Sequence, residues 1–133
     1  MKVLQVNTVY GVGSTGKIAK EIHDLCIEKN IECLNAFRYQ EKRRQSLPDT
    51  VAVSSWLDCH IHNRIARYTM LQGVFSYFKT ASFIKKVKQY SPDIIHLHNL
   101  HGSYINHRLL FRYIKKNNVR VIWTLHEIGR AHV

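Results

Sequence analysis

Two short stretches hold residues whose types and spacing could do chemistry. The first, Gly11-Val12-Gly13-Ser14-Thr15-Gly16, is a G-x-G-x-x-G array. It follows the apolar run Val3-Leu4-Gln5-Val6-Asn7-Thr8-Val9 and precedes Ile18, Ile22, Leu25 and Cys26, which share one helical face. The expected order is strand, glycine turn, helix. Glycines in such a turn allow positive φ and close approach of a ligand to backbone, and the following helix aims unpaired N–H groups and its positive dipole end at the turn. That arrangement suits a diphosphate or another anion. The second stretch, His96-Leu97-His98-Asn99-Leu100-His101, has H-x-H-x-x-H spacing. His96 and His98 would share one side of a strand, and neutral imidazoles are good zinc ligands.

Each stretch admits competing readings. A dinucleotide site expects an acid at the end of the second strand, about twenty positions beyond the glycines. Here that strand ends in Phe37-Arg38-Tyr39. A P-loop nucleotide-binding protein fits the spacing of Gly11 and Gly16-Lys17, but Ile18 stands where a hydroxyl should hold magnesium. The glycines could also serve strand-to-helix packing alone. The histidines resemble the H-x-H-x-D-H motif of metallo-β-lactamase-type hydrolases, with Leu100 in place of the carboxylate. A metallohydrolase using His96, His98 and His101 is therefore an alternative, set against a core histidine bonded to backbone at His96. His98 and Asn99, nearer the strand end, are better placed to line a pocket.

The elements that must position these residues alternate. A first helix is expected over 16–30, a second strand over 31–37, a polar loop over 40–50, and a short strand at Val51-Ala52-Val53. Ser55-Trp56-Leu57-Asp58 has the form of a capped helix start, and Leu57, Ile61, Ile65 and Tyr68 continue a stripe expected to face the core. Gly73 is expected to break that helix, and another, through Phe83, Ile84 and Val87, ends before Pro92. A strand over 93–99, an amphipathic helix marked by Ile105, Leu109, Leu110, Tyr113 and Ile114, and a last strand over 119–125 complete the pattern. Strands alternating with helices, and apolar on both faces, predict an α/β fold: a Rossmann-like parallel sheet with helices on both faces. Ligands bind such sheets at the carboxyl ends of strands, where the Gly11 turn, the His96–His101 segment and His126 all fall.

The chain has 133 residues, 45% of them hydrophobic, which suits a single domain with a sizeable core. The N-terminus has no basic stretch followed by an apolar h-region, and no segment is long and apolar enough to span a bilayer, so a cytoplasmic location is expected. Cys26, Cys33 and Cys59 form no C-x-x-C pair and are expected to be reduced and packed. The formal charge of +11 is spread over helix surfaces without a compact nucleic-acid motif. It would favour phosphorylated ligands or peripheral contact with the anionic inner face of a membrane, with no nucleic acid as partner.

Taken together, Val9-Tyr10-Gly11-Val12-Gly13-Ser14-Thr15-Gly16-Lys17-Ile18, Pro92-Asp93-Ile94-Ile95-His96-Leu97-His98-Asn99 and Val121-Ile122-Trp123-Thr124-Leu125-His126 resemble the N-terminal domain of a family four glycosyltransferase of the GT-B fold, of the bacterial surface-polysaccharide type. The resemblance covers nearly all of residues 1–126. It implies transfer of a sugar from a nucleotide diphosphate sugar to a hydroxyl of a glycan or lipid-linked acceptor, with no essential metal and no cofactor beyond the donor substrate. By that likeness Gly13, Ser14, Thr15 and Gly16 border the donor diphosphate and the acceptor. His98 and Asn99 line the acceptor side, and His126 is the catalytic candidate beside the transferred sugar. The family also needs a second, donor-binding domain, which this chain lacks, so the chain is expected to be inactive alone. Residues 127–133, Glu-Ile-Gly-Arg-Ala-His-Val, are what GAGATCGGAAGAGCACACGTC encodes, a string that from its second base resembles a widely used sequencing adapter. They are expected to be a non-native tail.

Overall fold

The computed structural model describes residues 1–38, 47–70, 76–101 and 103–126. The apolar N-terminal run forms β1 (Lys2–Val6), and the chain then turns through Gly11 and Gly13, whose φ values of +70° and +64° lie where a side chain is disfavoured. Helix α1 (Gly13–Glu28) begins at Gly13 rather than at the expected Gly16, so Ser14 and Thr15 belong to its first turn. β2 (Glu32–Phe37) and β3 (Thr50–Ala52) follow, then α2 (Trp56–Thr69), α3 (Tyr77–Tyr90), β4 (Ile94–Leu97), α4 (His107–Asn117) and β5 (Arg120–Trp123). Residues 40–46 of the expected 40–50 loop, the break at Gly73 and the tail at 127–133 lie outside the described residues, and the last residue of that loop, Thr50, instead begins β3.

Local chemistry explains several boundaries. The Ser55 side chain accepts a hydrogen bond from the Asp58 N–H at 3.2 Å, the expected cap of α2. Asn106 caps α4 in the same way through the Leu109 N–H at 3.1 Å, while Lys115 and Lys116 lie in its last turn, near the negative dipole end.

The five strands form one sheet, all parallel, in the order β3-β2-β1-β4-β5. This is the Rossmann-like α/β architecture expected from the alternation. Leu4, Val6, Ala36, Ile95 and Leu97 project from one face into a cluster with Cys59 of α2, Phe83, Ile84 and Val87 of α3, and Leu110 and Tyr113 of α4. Each fully buried large side chain there contributes roughly 1.5–3 kcal/mol. The other face carries Gln5 and Asn35, which bond to α1, so helices cover both faces.

Three expectations about packing need correction. The strands are not apolar on both faces: Gln5, Asn35, His96 and His98 make the α1 side polar. The stripe Leu57, Ile61, Ile65 and Tyr68 faces outward, with Leu57 62% and Tyr68 85% exposed, and α2 instead buries Cys59, His62 and Ala66. On α1, Ile18 and Leu25 are likewise exposed, while Ala19 and His23 are buried. On α1 the inward Ala19 and His23 meet the polar side chains of Gln5 and Asn35, whereas on α2 Cys59 joins the core cluster and His62 lies 2.6 Å from the Ser76 hydroxyl at the start of α3. Cys33 and Cys59 are buried as expected, and burial pushes the Cys33 thiol up to about 12. No described helix is long and apolar enough to cross a membrane.

Candidate functional site at the carboxyl edge of the sheet

In the order β3-β2-β1-β4-β5 the direction of chain progress reverses between β1 and β4. The crevice outside the carboxyl ends at such a reversal is where open α/β sheets bind ligands. The glycine turn follows β1 and the His98-Asn99 segment follows β4, so two of the sequence candidates flank that position.

Two residues that the sequence reading passed over join them. The Asn7 amide donates to the Thr15 carbonyl at 3.2 Å, and its carbonyl oxygen accepts from the backbone N–H groups of Thr8 at 2.8 Å and Asn99 at 3.4 Å. The Thr8 hydroxyl contacts the carbonyls of Asn99 and His101 at 3.2 and 3.0 Å, and the buried Tyr104 hydroxyl donates to the Asn99 carbonyl at 2.8 Å. Burial raises the Tyr104 pKa, so the hydroxyl stays a donor.

Within the turn, the glycines divide their work. The Gly11 N–H donates to the Gly16 carbonyl at 2.8 Å, folding the loop onto the helix start. Gly16 is buried, and a Cβ there would meet Val9 Cγ2 at 3.1 Å and the Gly11 nitrogen at 3.2 Å. Its part is close packing. Gly13 and Ser14 are exposed, Thr15 is half-buried, and the N-cap residue Val12 supplies no side-chain acceptor to the first turn. Among the described residues no side chain caps the N–H groups of that turn, and they form an electropositive end.

The imidazoles form a row. His98 is 2% exposed, its ring 4.1 Å from that of His96 and 5.2 Å from that of His126. His98 Nδ1 lies 2.9 Å from His126 Nε2, and His98 Nε2 lies 2.9 Å from Gln5 Oε1. His96 Nε2 lies 2.8 Å from the Thr124 hydroxyl rather than bonding to backbone. The Trp123 indole N–H donates to the His98 carbonyl at 3.1 Å. Burial first, and the two flanking imidazoles second, push the His98 pKa down to about 4. Burial and His126 also lower His96. His98 is therefore neutral at pH 7, with both nitrogens engaged, and does not open onto the surface. Half-buried Asn99 and His126 do.

This arrangement bears on the alternatives. His98 has no nitrogen left for a metal, His101 is exposed on the following loop, and no group of three or more potential ligands converges among the described residues. A signal for Gln5 and Asn7 was present in the sequence: polar residues at alternate positions in an otherwise apolar strand share one face. The same alternation in His96 and His98 puts those rings beside Gln5, in the register that pairs Gln5 with His96. Against family models, curated proteins and solved structures alike, the chain finds no match.

Proposed function

We propose that residues 1–126 are the acceptor-side half of a two-domain glycosyltransferase, moving a sugar from a nucleotide diphosphate sugar to an acceptor hydroxyl in glycan or polysaccharide synthesis. The supporting observation is the meeting, at the topological reversal of a parallel sheet, of an uncapped helix start behind a glycine turn with the Asn99 and His126 strand ends. In this reading the amides of Gly13, Ser14 and Thr15 oppose the charge that builds on the departing diphosphate. His126 hydrogen-bonds the transferred sugar and fixes its orientation, Asn99 borders the acceptor, and Gly16 and His98 support the turn and the ring from behind.

The proposal extends to a membrane surface, because acceptors of this kind are often lipid-linked. Helix α2 turns Leu57, Ile61 and Tyr68 outward, flanked by exposed Trp56 and by Arg64 and Arg67. An outward apolar stripe with cations at its borders suits the interface of an anionic bilayer.

Transfer assays test the reaction. The chain alone is expected to give no turnover with nucleotide diphosphate sugars, and a protein in which residue 126 continues into a second Rossmann-like domain is expected to turn over. In that protein His126→Ala should lower kcat/KM about 100-fold, the loss expected when a reacting group is misplaced. Robust transfer by the chain alone, or none by the two-domain protein, refutes the reading.

A further inference from the structure

One hydrogen-bonded path crosses the polar face of the sheet from α1 to the end of β5, and its chemistry is directional. The Gln5 side chain is 1% exposed, and its NH2 group donates to the Ala19 carbonyl at 2.9 Å and to Asn35 Oδ1 at 2.8 Å. A main-chain carbonyl can only accept, so the nitrogen of the Gln5 amide must face Ala19. Asn35 is fixed by the same logic: its NH2 group meets the Asp49 carbonyl at 3.3 Å and His23 Nδ1 at 3.0 Å, which leaves its oxygen toward Gln5. The Gln5 oxygen then has one orientation left. It faces His98 Nε2 at 2.9 Å, and that nitrogen must carry the proton. In a neutral ring Nδ1 is then an acceptor, and the atom 2.9 Å from it, His126 Nε2, must in turn be N–H.

We infer that Gln5 and His98 are positioning residues that set the tautomer of His126, so that its Nδ1 presents a lone pair at the carboxyl edge and takes a hydroxyl donor from the ligand. No described residue is hydrogen-bonded to that Nδ1. A ligand hydroxyl there donates its hydrogen bond to Nδ1, while a ligand offering only an acceptor, such as an ether or carbonyl oxygen, finds no proton. The inference rests on the reading of His126 as the residue beside the sugar only for what the ligand is. The tautomer itself follows from the path of donors and acceptors.

The test is nitrogen-detected NMR of the whole chain labelled with 15N-histidine, in which two-bond couplings report which ring nitrogen is protonated. The pyridine-type nitrogen is expected to be Nδ1 in both His98 and His126 at neutral pH. In Gln5→Met, which keeps the side chain's length and removes its acceptor, both rings are expected to lose the single tautomer and show mixed Nδ1 and Nε2 protonation. A pyridine-type Nε2 on His126 in the unaltered chain overturns the inference even if the variant does not fold. A folded Gln5→Met chain with unchanged tautomers overturns the role of Gln5. A fixed tautomer in a two-domain protein that transfers no sugar would leave this inference standing and remove the proposed reaction.

Discussion

Buried His98 ties stability to acidity. Its pKa falls from the ordinary 6.5 to about 4 in the folded chain, chiefly through burial. Below pH 6.5 the unfolded chain takes up a proton that the folded chain refuses, so the unfolded state gains. The stability His98 contributes is thus complete above pH 6.5 and is lost as pH falls toward 4. At about 1.4 kcal/mol per pH unit for one proton, the full loss is about 3 kcal/mol. That is a large share of the roughly 5–15 kcal/mol typical of a domain. His62 and His96 are shifted the same way by burial, so the parent slope contains more than one site. The assay is therefore a difference: urea unfolding of the parent and of His98→Gln, at pH values stepped from about 7 to about 4.5. The variant should be less stable at neutral pH, yet the gap should narrow by about 2–3 kcal/mol as the buffer is acidified. Two curves that stay parallel would show that His98 titrates normally, and with that the argument for a neutral ring between Gln5 and His126 fails.

Other substitutions probe the remaining packing. In Gly16→Ala a Cβ meets the backbone of Gly11 and Tyr10 as well as Val9, so overpacking of about 1–3 kcal/mol should outweigh a helix-propensity gain of about 1 kcal/mol; a raised Tm would contradict this. On α3, Phe83→Ala should cost about 3–5 kcal/mol because the ring is buried in the core, whereas Phe78→Ala, on the exposed side of the same helix, should stay within about 0.5 kcal/mol. Met70 ends α2 with a φ of +55° and is exposed, so Met70→Gly should raise the thermal midpoint, by an amount worth about 0.5–1 kcal/mol. A drop in the midpoint would mean that the methionine makes contacts that outweigh its strained backbone.

The sequence carried the order of elements because alternating periods of two and 3.6 are local properties, written in neighbouring residues. Strand starts and the parallel sheet follow from them, and the Ser55 cap follows from an equally local pattern, Ser55-Trp56-Leu57-Asp58. Direction is different. Leu57, Ile61, Ile65 and Tyr68 define a face of α2, but periodicity does not say which face turns inward, and the buried side is the one bearing Cys59, His62 and Ala66. The start of α1 was misplaced because Gly13 serves both the turn and the first helical residue. At the site, the glycine turn and the strand-end residues Asn99 and His126 were legible as positions. The burial of His98 was not, since it depends on Gln5, far back along the chain; for Gly16 the neighbours Val9 and Tyr10 are local, but which glycine of the array packs is decided by how the turn folds.

Strand β5 pairs with β4 on one side, and among the described residues no strand lies on its other side. Val121, Ile122 and Trp123 are all exposed. A border of free amides and carbonyls decorated with oily side chains is a template on which another chain can add itself, strand by strand. Concentrated solutions of the isolated polypeptide should therefore form oligomers that grow from this border, and a lysine replacing Ile122 should keep them apart.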